Sequence, residues 1–500
     1  MSDLFTGYRP GAGPDEMFGP DGSVRPAYRD FRARLGSWDA DTYRHRQSVA
    51  DIDTMNSGIT FTVYSDDSGT ERIFPFSLVP RIITPSEWSA IERGLQQRVA
   101  ALNQFLGDIY GEQRCIRDGI IPGAMVFDHP SYRLRMAGFR PPLGVYCHIA
   151  GIDLIRDRDG VFRVLEDNLR TPSGVSYVLE NRRTMLNTTP DLFPEARVEA
   201  VDSYPERLME MLIAVRPEGV PADHTRSVIL TPGAANSAYF EHSFLARQMG
   251  IELVEGRDLV VDDDHVYLRA TTGLERVDVI YRRVDDDYLD PLVFHPDSLL
   301  GVSGLVNAYL AGNVTIVNAI GTGVADDKTT YRFVPDFIRY YLGEEPIIPN
   351  VDTYTGWRPD DLDYMLDQLH ELVLKPSDGS GGYGIIVGPQ ASAETLDAAR
   401  ARVRADPHRW IAQPLQEFST IPSFDGERFE PRRADLRPFV ITGESSWVLP
   451  GGLTRVAANS ESYIVNSSQG GGSKDTWILR ADPSEVSPPA RVKQQQRQEQ

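Results

Sequence analysis

Cysteine, long apolar runs and surplus basic charge are what this sequence lacks. Cys115 and Cys147 are the only cysteines among 500 residues, too few for a disulfide framework or a thiolate metal site. No apolar run approaches the roughly 18 residues that a membrane-spanning helix needs, and the first residues lack the basic and apolar regions of a secretory signal. We therefore expect a cytoplasmic protein that does not insert into a membrane.

Acidic residues outnumber basic ones by 72 to 51, which gives a formal net charge of −21. Such a surplus repels nucleic acids and anionic membrane surfaces at long range, so neither is an expected partner. A few cationic side chains focused in a cleft can still bind an anionic small molecule. The position of the lysines and arginines therefore matters more than their total.

The length predicts about three domains of roughly 150 residues each. A strand, a helix and a second strand over 228–254 indicate parallel strands in an open α/β sheet, and the pattern after residue 325 indicates an α+β region. The predicted fold class is therefore α/β and α+β. The predicted segments are an extended lead-in over 1–60, a helical region with a pair of strands over 61–220, an α/β domain over 221–325, α+β lobes over 326–480 and a disordered tail over 481–500.

The clearest helix begins at Thr84-Pro85-Ser86-Glu87, which supplies an N-cap, a proline at the first helical position and a glutamate at the third. Apolar residues then recur every three or four positions until Gly111. We expect one long packing helix there.

A second predicted helix follows Pro172-Ser173-Gly174. The free N–H groups and the positive dipole end of a helix N-terminus favour anions. Ser173, Gly174 and the neighbouring Arg170 are therefore candidates for contacting a carboxylate-bearing substrate, although such an arginine is commonly a solvated side chain.

Residues 374–387 combine a strand, a loop with four glycines in six positions and a second strand. Backbone N–H groups in such a loop can surround phosphate oxygens, and Lys375 at the end of the first strand adds a positive charge. The segment matches neither a P-loop nor a dinucleotide-binding turn, and an ordinary glycine-rich hairpin turn is the alternative. The loop residues in question are Gly379, Ser380, Gly381 and Gly382.

Glu166-Asp167-Asn168 ends a strand that pairs, in a hairpin-like pattern, with a strand carrying Asp153. Because side chains alternate along a strand, Glu166 and Asn168 project from one face and Asp167 from the other. Oxygen donors of this kind suit Mg²⁺ that bridges phosphates. Exposed polar strand ends are the alternative interpretation.

Four segments of the chain together resemble the motifs of ATP-grasp ligases. They are the strand pair with Asp153 and Glu166-Asp167-Asn168, the helix start Asp326-Asp327-Lys328 with the stretch 343–349, Lys375-Pro376 with its glycine loop, and the stretch 410–415, which is similar to the adenine hinge. The strand pair precedes both lysine segments, whereas ordinary members of the family have it last. The chain therefore resembles a circularly permuted ATP-grasp protein.

The stretches 165–174 and 466–475 are similar to those of the bacterial family called circularly permuted ATP-grasp type 2, and the resemblance covers residues 60–480. It implies a circularly permuted ATP-grasp fold with an open parallel-sheet pre-ATP-grasp domain over 221–325. It also implies that residues 433–480 lie against the segment 150–185.

The resemblance implies an ATP- and Mg²⁺-dependent carboxylate–amine ligase that works through an acyl phosphate. The cofactors would be ATP and Mg²⁺, and the substrates a small-molecule or peptide carboxylate and an amine. The alternative is a catalytically silent nucleotide-binding scaffold or sensor. The C-terminal tail is a possible docking segment for a protein partner.

The resemblance also implies roles for individual residues. Lys328 and Lys375 would hold phosphates under the glycine loop; Asp153, Glu166 and Asn168 would carry Mg²⁺; Gln413 and Leu415 would contact adenine through their backbones, and Glu417 the ribose.

One position departs from the family pattern. Many ATP-grasp ligases have an arginine two residues before the metal-binding aspartate, where this sequence has Gly151. Arg455, Arg437 or Arg283 could supply the missing charge at the reacting groups, and Arg455 is the favoured candidate.

Overall fold

The computed structural model describes residues 4–11, 13–58, 60–63, 70–73, 75–194, 197–377, 384–463, 465 and 471–481. The candidate phosphate loop 379–382, the first half of the stretch 466–475 and the tail from 482 onward lie outside the described residues.

The α-helices are α1 Arg29–Leu35, α2 Ala40–Asn56, α3 Pro85–Ile109, α4 Arg114–Arg117, α5 Gly123–Phe127, α6 Val175–Thr188, α7 Tyr204–Ala214, α8 Tyr239–Met249, α9 Asp286–Leu289, α10 Leu305–Leu310, α11 Lys328–Tyr331, α12 Val334–Phe337, α13 Pro359–Asp367 and α14 Ala393–Ala405. None of the helices in the described ranges is long and apolar enough to cross a bilayer.

The strands are β1 Thr60–Val63, β2 Thr70–Ile73, β3 Phe76–Ile83, β4 Ile149–Arg156, β5 Phe162–Asn168, β6 Ser227–Leu230, β7 Glu252–Val254, β8 Leu259–Asp262, β9 His265–Ala270, β10 Gly273–Val277, β11 Val279–Arg282, β12 Thr315–Val317, β13 Tyr354–Thr355, β14 Leu372–Pro376, β15 Ile386–Val387, β16 Trp410–Pro414, β17 Thr420–Phe424, β18 Phe429–Arg437, β19 Phe439–Thr442, β20 Ser446–Val448, β21 Leu453–Val456 and β22 Gly472–Ile478.

The largest sheet joins distant parts of the chain. Its strands follow the order β20-β19-β4-β18-β21-β22-β3, with β5 paired to β4 and β17 paired to β18. β18 runs antiparallel to β4, with Asp435 opposite Ile155, and antiparallel to β21, with Asp435 opposite Arg455. The predicted contact between 433–480 and the strands that begin near 150 is therefore confirmed.

A second sheet has the order β12-β11-β6-β7, and all of its pairings are parallel, as the strand–helix–strand pattern predicts. The chain passes from β6 to β7 on one side and later to β11 on the other, so the carboxyl ends of β6 and β11 form a switch point. Arg283 follows β11 there. Its guanidinium donates to the carbonyl of Pro172 (2.8 Å) and to the hydroxyl of Ser173 (2.5 Å), which connects this sheet to the loop beside β5.

A third, antiparallel sheet has the order β13-β16-β14-β15. Its central strands place Lys375 opposite Ile411 and Val373 opposite Gln413. Residues from this sheet and from the largest sheet line one common cavity.

The predicted long helix is α3. The backbone N–H of Glu87 donates to the Thr84 hydroxyl, and the backbone N–H of Thr84 donates to the Glu87 carboxylate, which forms the expected capping box. Leu102 and Phe105 on its buried side pack in one hydrophobic cluster, where Phe105 stacks on Phe337.

The stretch 1–60 is not extended throughout, because it contains α1 and α2. Phe31 and Tyr43 are buried and contact the rings of Trp477 and Phe429, so this stretch packs on the largest sheet. Only a few side chains of α2 are buried, and a helix with so narrow an apolar face gives little periodic signal in the sequence.

Glu16 ties this N-terminal stretch to the largest sheet. Its carboxylate accepts hydrogen bonds from Arg81 Nε (2.9 Å) and Nη2 (2.5 Å) and from the hydroxyl of Ser419 (2.5 Å). Arg81 is 0% exposed. Burial alone would raise the pKa of Glu16, but the charges of Arg156 and Arg81 outweigh it and lower the pKa to about 2.

Replacing Glu16 with glutamine is expected to lower the free energy of unfolding by about 3 kcal/mol, because it leaves Arg81 buried and unpaired. The ionised carboxylate stabilises the fold above its unfolded pKa of about 4.3 and loses this effect as the pH falls toward the folded value. Urea unfolding followed from about pH 7 to about pH 3 measures both effects. The exposed Glu427→Gln is the control, and equal stability of the two variants at neutral pH would contradict the assignment.

Candidate active site

A cavity of about 360 Å³ lies between the largest sheet and the sheet that contains β14 and β16. Its volume is within the range of small-molecule sites. The lining residues are Asp153, Leu165, Glu166, Asn168, Val373, Lys375, Ile385, Val387, Gln413, Pro414, Leu415, Gln416, Phe418, Asp435, Arg437, Arg455, Tyr463 and Val465. Six of the twelve residues expected to bind nucleotide or metal are thus brought together, and the four in the loop 379–382 lie outside the described residues.

Asp153 on β4 lies between two arginines. Arg437 on β18 donates to both carboxylate oxygens, from Nε (2.5 Å) and Nη2 (2.8 Å), and Arg455 on β21 donates from Nη2 (2.8 Å). Arg455 also pairs with Asp435 (2.5 Å). Burial alone would raise the pKa of Asp153, but the two arginines hold it well below its usual range. Burial raises the pKa of the neighbouring Asp435, although the charge of Arg455 acts against this.

Gly151 leaves space for one of these arginines. A Cβ at this position would lie 3.3 Å from Cδ of Arg437 and 3.1 Å from Cβ of Pro172. The position where many ATP-grasp ligases have an arginine is therefore crossed by an arginine side chain from a neighbouring strand. Arg283 does not reach Asp153 in this arrangement, because it pairs with Glu241 and holds the loop at 171–173.

Glu166 lies opposite Asp153 in the pairing of β5 with β4. Its carboxylate forms an ion pair with Lys328 at the start of α11 (2.8 Å). Asp167 points the other way, into a buried ion pair with Arg98 (2.6 Å). The alternation predicted for this strand is confirmed.

Lys375 contacts a neutral partner. Its Nζ donates to Oε1 of Gln413 (2.6 Å), and Nε2 of Gln413 donates to the hydroxyl of Thr353 (2.9 Å). Burial lowers the pKa of Lys375 to about 8; the charge of Glu166 opposes this shift, and the charge of Lys328 adds to it. The whole sequence has only four lysines, and two of them lie here.

The residues expected to contact the adenine and the ribose separate into two groups. Gln413 and Leu415 line the cavity, whereas Glu417 is absent from its described lining. The Glu417 carboxylate instead accepts hydrogen bonds from Tyr463 (3.2 Å) and Arg433 (3.4 Å).

The candidate substrate residues lie outside this lining as well. Arg170 pairs with Asp326 (2.6 Å). The backbone N–H of Gly174 donates to Glu241 (2.7 Å), and Ser173 is held by Arg283. The N-terminus of α6 is thus an anion site, as predicted, but the anion it holds is a carboxylate of the chain itself.

Sequence reasoning missed Asp435, Phe418 and Tyr463. Asp435 and Arg437 are two positions apart on β18, so they share a face, and this alternation was the available signal. Phe418 and Tyr463 stand in segments without regular periodicity and offered none.

The described donors suit one kind of metal site. Among the described residues there is no group of three or more His, Cys, Asp or Glu side chains that could hold a metal ion. Mg²⁺ in phosphate sites commonly uses one or two carboxylates together with phosphate oxygens. Glu166 and Asn168 offer a carboxylate and an amide oxygen on one face of β5, beside Asp153. The residues fit Mg²⁺ that shares its coordination with phosphates.

Comparison with protein families gives a match over most of the chain. The model of the family described as circularly permuted ATP-grasp type 2 matches residues 80–457.

Several curated relatives cover nearly the whole chain. An uncharacterized protein of Synechocystis is 52% identical over 474 residues, which are 95% of this chain and 98% of that protein. An uncharacterized protein of Mycobacterium tuberculosis is 54% identical over 468 residues, 93% of this chain and 84% of its own. A Frankia alni protein with the provisional name glutamate–cysteine ligase 2-3 is 43% identical, over 95% of this chain but only 55% of its own length.

Among solved structures, a glutathione synthetase-like effector from Globodera pallida superposes with a TM-score of 0.52 at 12% identity, covering 88% of this chain and 97% of that one. At this identity the likeness concerns the fold alone. The fold is ATP-grasp-like, as the sequence predicts.

The pKa of Lys375 predicts how anion binding depends on pH. The ammonium is present below about pH 8 and is lost above it, so the affinity for inorganic triphosphate should fall by about tenfold per pH unit above that value. Isothermal titration calorimetry between about pH 7 and about pH 9 measures the slope. The Lys375→Arg variant keeps its charge over this range and should show a flat profile; parallel profiles for the two proteins would contradict the prediction.

Proposed function

The chain belongs to the circularly permuted ATP-grasp type 2 family, and we propose that it is an ATP- and Mg²⁺-dependent carboxylate–amine ligase that works through an acyl phosphate. The observation that carries the proposal is the convergence of Lys375, Arg437, Arg455 and the Glu166–Lys328 pair around one cavity. The name of the Frankia protein supports a ligase. Because the match covers only 55% of that protein, its substrates are not transferred to this chain.

Nucleotide binding is assigned to the third sheet and its neighbours. Lys375 and Lys328 would hold phosphate oxygens, since a compact ammonium is suited to them. The backbones of Gln413 and Leu415 would contact adenine at the hinge after β16. The loop 379–382 is proposed to cover the phosphates.

Glu166 and Asn168, with Asp153 beside them, are the residues proposed to hold Mg²⁺. When bound, the ion neutralises phosphate charge and polarises the transferring phosphoryl group. Glu166 is the best placed of the three, because both oxygens of Asp153 accept hydrogen bonds from arginines.

The arginines are assigned to the transferring group. A substrate carboxylate oxygen attacks the γ-phosphorus, the bond to the β-phosphate oxygen breaks, and ADP leaves with that electron pair. An amine then attacks the acyl carbon, the bond to phosphate oxygen breaks, inorganic phosphate leaves and the nitrogen loses a proton to solvent. Arg437 and Arg455 would stabilise the negative charge on the phosphoryl oxygens, while Asp153 and Asp435 fix their orientation.

The oxygen balance of this reaction gives a direct test. With ¹⁸O-labelled carboxylates drawn from amino acids and short peptides, one labelled oxygen should appear in the released phosphate, detected by mass spectrometry together with ADP and an amide product. Formation of AMP and pyrophosphate, or phosphate without the label, would refute the acyl-phosphate route. Nucleotide binding with no turnover for any acceptor pair would instead support a scaffold or sensor.

Replacing Glu166 with glutamine is expected to reduce ADP formation by about 100-fold or more, because the neutral amide no longer supplies the carboxylate charge for the metal ion. A coupled assay for ADP measures the change. Glu427→Gln, at an exposed position, should leave the rate unchanged, and an unaltered rate in Glu166→Gln would exclude this residue from the reaction.

Replacing Arg437 with lysine should lower kcat by about 100-fold and leave the KM for ATP nearly constant, since one ammonium cannot reproduce two parallel hydrogen bonds or the same charge placement. Steady-state kinetics separates the two constants. The matched control is Arg428→Lys, whose side chain is 80% exposed. A change in the KM for ATP without a change in kcat would show that Arg437 acts in nucleotide binding and not in phosphoryl transfer.

A further inference from the structure

The side chains of Arg433, Glu417 and Tyr463 contact one another beside the part of the cavity assigned to the nucleobase. Arg433 on β18 shares a strand face with Asp435 and Arg437, because these residues are two positions apart. The face of β18 that carries Asp435 and Arg437 therefore also carries Arg433, which lies nearer the proposed adenine hinge.

Arg433 is committed to the segment that follows β21. Its Nη1 donates to the carbonyls of Ser460 (3.0 Å) and Ser462 (3.2 Å), and its guanidinium lies 3.7 Å from the ring centroid of Tyr463. Its side chain is only 9% exposed. The segment is thus fixed over β18 by a buried cation.

Tyr463 is oriented at both ends of its side chain. The hydroxyl donates to Glu417 (3.2 Å), which also accepts from Arg433. Arg433 covers one face of the ring, and Tyr463 lines the cavity together with Leu415 and Phe418. Glu417 and Arg433 form an ion pair with each other, and neither is among the described residues that line the cavity.

Resting on the proposed function, we infer that Tyr463 is the stacking wall for the purine of ATP, and that Glu417 holds this tyrosine instead of contacting the ribose. A preoriented aromatic ring loses little conformational entropy on binding and stacks on a nucleobase without hydrogen-bond selection. Tyr463 lies beyond residue 457, where the match to the family ends. It stands between β21 and β22, in neither strand.

Titration calorimetry with ATP and with inorganic triphosphate separates base from phosphate contacts. Tyr463→Ala should weaken ATP binding by about tenfold and change triphosphate binding by less than about twofold, because only the base loses its partner. Tyr463→Phe keeps the ring but loses the hydrogen bond to Glu417, so its ATP affinity should lie between those of the wild type and Tyr463→Ala. Tyr288→Ala, at an exposed tyrosine distant in the fold, is the control and should be unchanged.

Photolabelling of the wild type gives a second measurement that needs no substitution. An azido-ATP carrying the azide on the purine should label the tryptic peptide 456–474, which contains Tyr463. Equal ATP affinity in Tyr463→Ala and wild type, or a label confined to other peptides, overturns the inference and leaves the ligase proposal intact. Failure of the wild type to bind ATP at all overturns the ligase proposal itself.

Discussion

The burial of Asp153 is the constraint on which the site depends. This carboxylate is 2% exposed, and a buried charge without a partner costs several kcal/mol. Its partners, Arg437 and Arg455, follow it by 284 and 302 positions in the chain. β18 must therefore pair with β4, and β21 with β18, in fixed registers, and these registers also form the cavity wall.

Arginine and lysine side chains have different roles in this site, and the difference follows from which of them have a carboxylate partner. Of 51 basic residues only four are lysines. Arg437 and Arg455 present planar donors to internal carboxylates, a geometry that suits guanidinium. Lys375 contacts an amide and, within the described part of the chain, has no carboxylate in ion-pair distance. Its charge is thus available to an anion from solution, at the cost of a pKa lowered to about 8.

Local patterns predicted local structure well. Alternation along β5 separated Glu166 and Asn168 from Asp167, and the capping box located the start of α3. What the sequence could not reveal depends on distant strands. In the sequence, Gly151 stands where the family pattern has an arginine, whereas in the structure it makes room for Arg437. The register of β18 on β4, which brings these residues together, cannot be inferred from the sequence near either of them. The α6 N-terminus was identified as an anion site, but its occupant, Glu241, lies on another helix.

A net charge of −21 does not prevent a triphosphate from binding, because the cavity has positive side chains of its own. One of the nearby lysines is already paired with a carboxylate, and both members of this pair can change partners. Lys328 and Glu166 neutralise each other across 2.8 Å. Under the proposed function, the ammonium of Lys328 would bind a phosphate oxygen and the carboxylate of Glu166 would bind the metal ion. Each member of the ion pair would then have a new partner of opposite charge. Neither charge is then left unpaired, with or without nucleotide. Asp153, Arg437 and Arg455 are held together by ion pairs within the chain, so their arrangement does not depend on this exchange.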